Sequence, residues 1–290
     1  MRVAVVGTGR MGAAMVGRLA EAGHDVVVQN RTRARADVVA ERHGLQAVDL
    51  RSEAAAGAEV VVVSLADDAA VRAAYGGADG IVAGLEPGAV VADTSTVDPA
   101  TVQALASDVE RAGAALVDTP VSGSVSTVEA GELLVMAGGD AAALDRVRPV
   151  LDSLARRVLH LGPLGAGATM KLAVNSVVHA LNEALAEALV LAEKAGVDRS
   201  AAYEVFASSA VAAPFVLYKR AAYEKPDEAP VAFALDLVAK DLDLVADLAT
   251  RVGAAMPQLA VNRDVVERAR RAGLGSSDLS ALAELLRGLR

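Results

Sequence analysis

The chain has 290 residues, a formal net charge of −9 and no cysteine. It is long enough for two domains with hydrophobic cores, and it has no disulfide, thiolate metal site or thiol nucleophile. The acidic balance also argues against a general nucleic-acid binder, because proteins that follow a phosphate backbone need a basic face. The four histidines are scattered without ligand spacing, so we expect no metal.

The first half of the chain alternates short valine-rich runs with segments of helical period. The valine-rich runs are residues 2–6, 25–29, 59–65, 88–93, 114–118 and 157–161. The helical segments between them are residues 10–22, 33–42, 98–111 and 140–154. This alternation predicts βα units on a mainly parallel, doubly wound sheet of Rossmann type, with helices on both faces.

The second half of the chain has no further valine-rich strands. A Gly/Pro-rich segment, 162–167, is typical of a joint between domains. Long Ala/Leu-rich helices are predicted beyond it, at residues 168–195, 198–208, 235–251, 256–271 and 278–288. The sequence therefore predicts a dinucleotide-binding α/β domain over residues 1–163 and an all-α substrate and dimerisation domain over residues 164–290.

A glycine-rich turn lies between the first predicted strand and the first predicted helix. Its G-x-G-x-x-G pattern supplies a tight turn, a close backbone approach to a pyrophosphate and close packing of the helix on the strand. The helix N-terminus also faces the anion. Because strand, turn and helix follow in the required order, we predict that the turn binds a dinucleotide through Gly7, Gly9, Arg10, Met11 and Gly12.

The end of the second predicted strand indicates which dinucleotide binds. An NAD site usually carries an acidic residue here for the ribose hydroxyls, whereas this chain has Gln29 and Asn30. Arg31, Thr32 and Arg33 follow, and a guanidinium beside a hydroxyl suits a 2′-phosphate. We therefore expect NADP(H) to be preferred over NAD(H), with contacts from Asn30, Arg31 and Thr32.

Lys171 and Asn175 lie at the start of the longest predicted helix. Residues four positions apart share one helix face, so the two side chains point into the same space. A lysine and an asparagine that are simply solvated would also fit a helix start. The rest of the chain decides between these interpretations.

Five parts of the chain together resemble the β-hydroxyacid dehydrogenase family. This family includes 3-hydroxyisobutyrate dehydrogenase, tartronate semialdehyde reductase, the glyoxylate and succinic semialdehyde reductases and, more distantly, 6-phosphogluconate dehydrogenase. The resemblance covers nearly the whole chain in matching order, in residues 3–26, 91–101, 118–124 with 129–139, 165–175 and 237–244.

The resemblance implies hydride transfer between a nicotinamide and a small β-hydroxy acid or semialdehyde. Lys171 would be the general acid and base that this chemistry needs at the reacting oxygen, and Asn175 would orient the substrate. The substrate carboxylate would bind Ser122, Gly123 and Ser124, since adjacent N–H donors form an anion site. The remaining cofactor contacts that the resemblance implies are Ser64, Leu65, Thr96, Phe233 and Lys240.

Three segments depart from the family pattern. Residues 64–66 are Ser-Leu-Ala where the family often has Met-Leu-Pro, but that contact is mostly made by backbone. Residues 123–124 are Gly-Ser in place of Gly-Gly, and residues 127–128 are Thr-Val in place of Gly-Ala. The last two lie beside the substrate anchor, so the resemblance does not identify one substrate.

Two other functions stay open. Imine reductases share this architecture but commonly carry Asp or Tyr where this chain has Lys171, so the lysine argues against that activity. A non-catalytic NADP-binding protein is the second alternative.

The family favours a homodimer or homotetramer through the C-terminal helices. Arg10 and Arg18 interrupt the N-terminal apolar run, which is therefore not interpreted as a signal peptide, and a cytoplasmic location is expected.

Overall fold

In the computed structural model, which describes residues 1–226 and 228–289, the chain divides into two compact units. The first unit is Met1–Lys171 and the second begins at Leu172. The observed boundary thus follows residue 171, whereas the sequence placed it after residue 163. Asp227 and Arg290 fall within the predicted helical domain and lie outside the described residues.

The first unit is built on a six-stranded sheet with the order β3-β2-β1-β4-β5-β6, in which all neighbours are parallel. The strands are β1 (Arg2–Val6), β2 (Asp25–Gln29), β3 (Gln46–Val48), β4 (Val60–Val63), β5 (Val90–Asp93) and β6 (Ala115–Asp118). The prediction of a Rossmann-type doubly wound sheet is confirmed. The strand order reverses between β1 and β4, and ligands of such sheets bind at the carboxyl ends of the strands beside this point.

Helices cover both faces of this sheet, which is why its strands are buried runs of valine. They are α1 (Arg10–Glu21), α2 (Arg33–His43), α3 (Arg51–Ala55), α4 (Asp68–Tyr75), α5 (Ile81–Gly84), α6 (Pro99–Arg111), α7 (Val125–Glu129) and α8 (Ala141–Leu154). One core packs Met15 and Leu19 of α1 against the sheet, and a separate core contains Tyr75 and Ile81. The four predicted helices are present, and the short helices α3, α4, α5 and α7 are additions.

A second, three-stranded sheet lies in the same unit, with the order β7-β8-β9. Its strands are β7 (Val121–Ser122), β8 (Leu133–Ala137) and β9 (Ala155–His160). Strands β7 and β8 are antiparallel, and β8 and β9 are parallel. The run at residues 157–161 was predicted to lie in the main sheet, and that prediction was wrong, because this run pairs with β8.

The described part of the second unit is all helical, as predicted. Helix α9 (Ala166–Lys194) begins in the first unit and is followed by α10 (Arg199–Ser208), α11 (Pro214–Glu224), α12 (Leu235–Val252), α13 (Pro257–Ala269) and α14 (Leu282–Gly288). Helix α11 was not predicted, and a 3₁₀ turn at Leu279–Ala281 interrupts the helix predicted over residues 278–288. No helix in the described ranges is long and apolar enough to cross a bilayer.

Candidate active site

The glycine-rich turn between β1 and α1 has the shape that a pyrophosphate requires. Gly7 has φ +100°, and a Cβ there would collide with the carbonyl oxygen of Ser64 at the end of β4. A Cβ on Gly12 would collide with the carbonyl oxygen of Gly7. A Cβ on Gly9 would meet no atom within 4 Å, so this residue faces open space at the N-terminus of α1. The turn is therefore closely packed on the protein side and open on the side where a dinucleotide binds.

Asn30 ties this turn to the end of β2. The side-chain oxygen of Asn30 accepts a hydrogen bond from the backbone N–H of Thr8 at 3.1 Å. Its side-chain nitrogen donates to the carbonyl oxygen of Thr32 at 3.0 Å. Asn30 thus holds the loop that carries Arg31 against the loop that carries the glycines, while Arg10 is exposed and Met11 is half-buried against the core.

The three arginines that follow β2 have different surroundings. Arg33 is engaged by two carboxylates, with its guanidinium 2.7 Å from Asp37 and 2.7 Å from Asp49. Arg31 is exposed and has no hydrogen-bond or ion-pair partner among the residues the structure describes. The same holds for the side chain of Arg35, which the sequence analysis did not single out. Arg31 and Arg35 are therefore the two cations available to an anion at this strand end.

The ends of β4 and β5 are joined by a chain of hydrogen bonds. The backbone N–H of Leu65 donates to Ser95 Oγ at 3.0 Å, and the backbone N–H of Ser95 donates to Asp93 Oδ1 at 2.9 Å. Tyr75 completes the chain by donating its hydroxyl hydrogen to Asp93 Oδ2 at 2.9 Å. Burial raises the pKa of the Asp93 carboxyl. This network fixes the backbone around Leu65 and Thr96, both predicted to lie against the cofactor.

The predicted substrate anchor begins at Ser122, the last residue of β7. Gly123 is exposed and has φ +149°, and a Cβ there would press on the side chain of Thr127. Ser124 caps α7: its backbone N–H donates to Thr127 Oγ1 at 3.1 Å, and its hydroxyl lies 3.0 Å from Thr127 Oγ1 and 2.8 Å from Ser126 Oγ. The two departures from the family pattern at residues 124 and 127 are therefore one hydrogen-bonded pair.

Asp118, the last residue of β6, connects this strand to the start of α9, and the chain continues from it into β7 and the anchor. The carboxylate is 1% exposed and accepts the backbone N–H of Gly165 at 2.8 Å and that of Ala168 at 2.6 Å. Burial raises the pKa of Asp118 despite these hydrogen bonds. Because these hydrogen bonds hold the first turn of α9 to the sheet, the first unit extends to Lys171. Lys171 lies three residues after Ala168 and is half-buried.

In the second unit, two predicted residues, Asn175 and Lys240, contact a carboxylate that was not predicted from the sequence. Asp241 of α12 is 1% exposed and accepts the side-chain N–H of Asn175 at 2.6 Å on Oδ2. The ammonium of Lys240 lies 2.9 Å from Asp241 Oδ1, and Nε2 of His179 lies 3.6 Å from Oδ2. Burial raises the pKa of Asp241, but His179 and Lys240 outweigh it and hold the pKa below its usual range. The ring of Phe233 lies 5.9 Å from that of His179 between centroids.

A second missed carboxylate holds Phe233 in place. Asp278 accepts the backbone N–H of Ala232 at 2.8 Å and that of Phe233 at 3.1 Å. Lys219 Nζ lies 2.8 Å from both oxygens of Asp278, and this ion pair is buried. Burial raises the pKa of Asp278, but Lys219 outweighs it and lowers the pKa. The segment before α12 is therefore fixed by a charged group from the distant end of the chain.

The structure thus groups the predicted residues in two places, each within one unit. In the first unit they lie at the carboxyl ends of strands in the main sheet, in the anchor and at the start of α9. In the second unit Asn175 and Lys240 contact Asp241, and Phe233 lies beside His179. A signal for the missed residues existed, because Asp241 follows Lys240 directly and His179 lies one helical turn after Asn175. Within the described ranges, no three His, Asp or Glu side chains form a cluster suited to a metal ion.

A glycine turn open to an anion at the switch point of a doubly wound parallel sheet defines a dinucleotide-binding protein. Comparison with known families agrees with this class. The NAD-binding domain of 6-phosphogluconate dehydrogenase matches residues 2–162, and the NAD-binding domain of NADP-dependent 3-hydroxyisobutyrate dehydrogenase matches residues 165–286.

Individual relatives cover almost the whole chain. Glyoxylate/succinic semialdehyde reductase 1 of Arabidopsis thaliana is 32% identical, over 99% of this chain and 99% of its own. The 3-sulfolactaldehyde reductase of Escherichia coli is 30% identical, over 98% of this chain and 95% of its own. The crystal structure of 3-hydroxyisobutyrate dehydrogenase from Salmonella typhimurium is 28% identical and covers 98% of this chain and 99% of its own, with a TM-score of 0.90. The chain belongs to the β-hydroxyacid dehydrogenase family, and it is a nicotinamide-dependent oxidoreductase that acts on hydroxyl or aldehyde groups.

Proposed function

We propose that the protein transfers a hydride between NADP(H) and a small β-hydroxy acid or semialdehyde, with Lys171 as the general acid and base. One observation carries the proposal: Lys171 follows, within one turn of α9, the backbone N–H of Ala168 that Asp118 at the end of β6 holds. The same helix brings Asn175 one turn later. The lysine is therefore positioned by the strand that leads into the substrate anchor.

Bound NADP(H) would supply or accept the hydride, and the residues of this chain manage the oxygen of the substrate. In the reducing direction the Lys171 ammonium stabilises the negative charge that grows on the carbonyl oxygen and donates a proton to it. In the oxidising direction the neutral amine accepts the hydroxyl proton. Asn175 orients the substrate with its amide oxygen, because its amide nitrogen donates to Asp241.

The anchor would bind the substrate carboxylate. Since the backbone N–H of Ser124 is used by Thr127, we infer that the donors come chiefly from Ser122 and Gly123. The Ser124 hydroxyl still has a hydrogen that can rotate toward an anion. This arrangement supports a substrate with one carboxylate and a short chain.

The preference for NADP(H) is supported by the guanidinium of Arg31 after β2, which has no ion-pair partner in the part of the chain that the structure describes. A 2′-phosphate gains charge-assisted hydrogen bonds from an arginine that no carboxylate engages. Arg35 adds a second cation on the first turn of α2. Arg33 is already paired with Asp37 and Asp49, so we assign it no contact with the phosphate.

The function is tested by following nicotinamide absorbance with NADPH and, separately, with NADH. The substrates are methylmalonate semialdehyde, tartronate semialdehyde, succinic semialdehyde and glyoxylate, with a cyclic imine as a different class. We expect turnover of at least one aldehyde, faster with NADPH. Turnover of the imine alone would contradict the role of Lys171, and no turnover at all would favour a non-catalytic NADP-binding protein.

The role of Lys171 is tested by Lys171→Ala, with Lys194→Ala on the same helix as the matched control. General acid–base catalysis contributes ~10²–10⁴-fold, so we expect Lys171→Ala to lose turnover on that scale and to keep its affinity for NADPH. The control, whose ammonium contacts the carbonyl oxygen of Leu289, should be unchanged. Loss of NADPH affinity with turnover intact would refute the assignment.

The choice of cofactor is tested by Arg31→Gln, with Arg33→Gln as the control that removes a neighbouring but engaged arginine. A hydrogen bond to a charged group is worth about 1.5–3 kcal/mol, so Arg31→Gln should weaken NADPH binding about tenfold or more and leave NADH binding almost unchanged. Equal effects of the two variants on NADPH would show that Arg31 makes no specific contact.

We also propose that the protein forms a homo-oligomer through α9. In the second unit, exposed positions along this helix include Ala173, Val177, Ala184 and Leu191, with Val177 67% and Leu191 72% exposed. An exposed apolar stripe of this length is typical of a subunit contact. Light scattering of Val177→Glu should show a smaller particle than the unchanged chain, whereas Val38→Glu on α2, a valine that is 57% exposed, should not.

A further inference from the structure

His179 is an unusual buried residue, because neither of its ring nitrogens has a hydrogen-bond partner among the described residues. The side chain is 4% exposed on the inner face of α9. Buried polar groups are nearly always hydrogen-bonded, and one that is not needs an explanation. Core packing alone would be served better by a leucine, which carries no polar atom.

The carboxylate of Asp241, close to the imidazole, explains the position of His179. Its Nε2 lies 3.6 Å from Asp241 Oδ2, too far for a hydrogen bond but within reach of a small movement of the ring. Hydrogen bonds in catalytic sites are often long until substrate binds. Phe233, at 5.9 Å between ring centroids, packs against the same imidazole.

Asp241 in turn determines what Asn175 offers to a substrate. A carboxylate only accepts hydrogen bonds, so the amide nitrogen of Asn175 must face Asp241, and the amide oxygen is left to accept a hydrogen bond elsewhere. The Oδ1 atom of Asp241 is engaged by Lys240. His179 is therefore the group that can fix the Asp241 oxygen to which Asn175 is bound.

We propose that His179 is a positioning residue, which donates a hydrogen bond from Nε2 to Asp241 when substrate and cofactor are bound. This bond fixes the carboxylate, and the carboxylate fixes the amide of Asn175 and the ammonium of Lys240. The inference rests on the proposed function, in which Asn175 orients the substrate. It assigns His179 no contact with the substrate.

The first test compares His179→Leu with His179→Gln. Leucine removes the donor, whereas glutamine places an amide N–H near the position of Nε2. Misplacement of a catalytic group by about 1 Å can cost ~10²-fold, so we expect His179→Leu to lower kcat tenfold or more with unchanged affinity for NADPH. His179→Gln should recover most of the loss.

Two controls separate positioning from folding. Asn182→Ala removes a buried, hydrogen-bonded side chain from the same helix without touching Asp241, and should lower Tm while leaving kcat within about twofold. In a double-mutant cycle, His179→Leu should cost little further kcat in an Asp241→Asn background, because the two residues act together. Independent, multiplying losses would overturn the proposal, and so would equal losses in the Leu and Gln variants.

A spectroscopic test does not depend on activity. The chain has four histidines, so the ring nitrogens of His179 can be assigned in ¹H–¹⁵N spectra by comparison with His179→Gln. We expect its protonated nitrogen to shift on addition of NADPH with a carboxylate product, and to shift in Asp241→Asn. An unchanged resonance in both would refute the hydrogen bond. Absence of turnover in the unchanged chain, with these shifts present, would refute the proposed function instead.

Discussion

Glu183 leads to a prediction about stability and pH. This residue of α9 is 3% exposed, and its Oε2 has no hydrogen-bond partner among the described residues. Burial raises the pKa of Glu183 from 4.5 to about 7, and the nearby charges of Glu187 and Asp264 add to the effect. The carboxyl is therefore protonated in the folded protein at a pH where it is ionised in the unfolded chain.

The sign of the effect follows from proton binding. Between pH 4.5 and about 7 the folded state binds more protons at Glu183 than the unfolded state does, so its contribution to stability falls as pH rises. A change in pKa from 4.5 to about 7 corresponds to about 3 kcal/mol. Glu183→Gln is neutral at every pH and avoids this loss. Because a small part of the loss already occurs below pH 5, the variant should gain about 2.5 kcal/mol relative to the unchanged chain between pH 5 and pH 8.

Thermal unfolding followed by circular dichroism at pH 5, 6.5 and 8 measures this difference. For a chain of this size the gain corresponds to about 4 °C in Tm between the two extremes. Glu41→Gln, at an exposed position of α2, should show no pH-dependent difference. A difference between Glu183→Gln and the unchanged chain that stays constant with pH would refute the reasoning.

Other predictions concern the first unit. Gly12→Ala should lower Tm because its Cβ collides with Gly7, whereas Gly9→Ala should keep Tm and weaken NADPH binding, measured by fluorescence titration. Equal Tm values for the two variants would contradict this. Asp118→Asn leaves one buried N–H of α9 unpaired and should lower stability in urea by about 2–3 kcal/mol; an unchanged midpoint would show that α9 is held otherwise. Thr127→Val removes the acceptor of the Ser124 N–H and leaves that donor to the anchor, so it should lower KM for the carboxylate substrate, with NADPH affinity unaffected; a change in NADPH affinity alone would count against it.

The pairing of Ser124 with Thr127 shows how a departure from a family pattern becomes interpretable in three dimensions. As separate positions, each only made the choice of substrate uncertain. In the structure Thr127 accepts the N–H of Ser124, so the two replacements stiffen one loop and use one donor that the anchor would otherwise offer. Selectivity for the carboxylate is therefore expected to depend on the pair.

The sequence by itself determined the elements whose signal is local. Runs of valine predicted β1, β2, β4, β5 and β6, because a strand buried on both faces is apolar along its whole length. The glycine turn and the helical spacing of Lys171 and Asn175 are likewise properties of adjacent residues. By contrast, β9 has the same local composition as the strands of the main sheet, and only its pairing with β8 decides which sheet it joins.

The tertiary structure decided the contacts on which the candidate site depends. Asp118 reaches Ala168 across 50 residues, and Asn175 reaches Asp241 across 66. Whether Arg31 or Arg33 is available to a phosphate depends on where Asp49 lies after β3. A hydrogen bond between distant residues leaves no periodic pattern in a sequence, because it needs only one acceptor and one donor that the fold brings within about 3 Å.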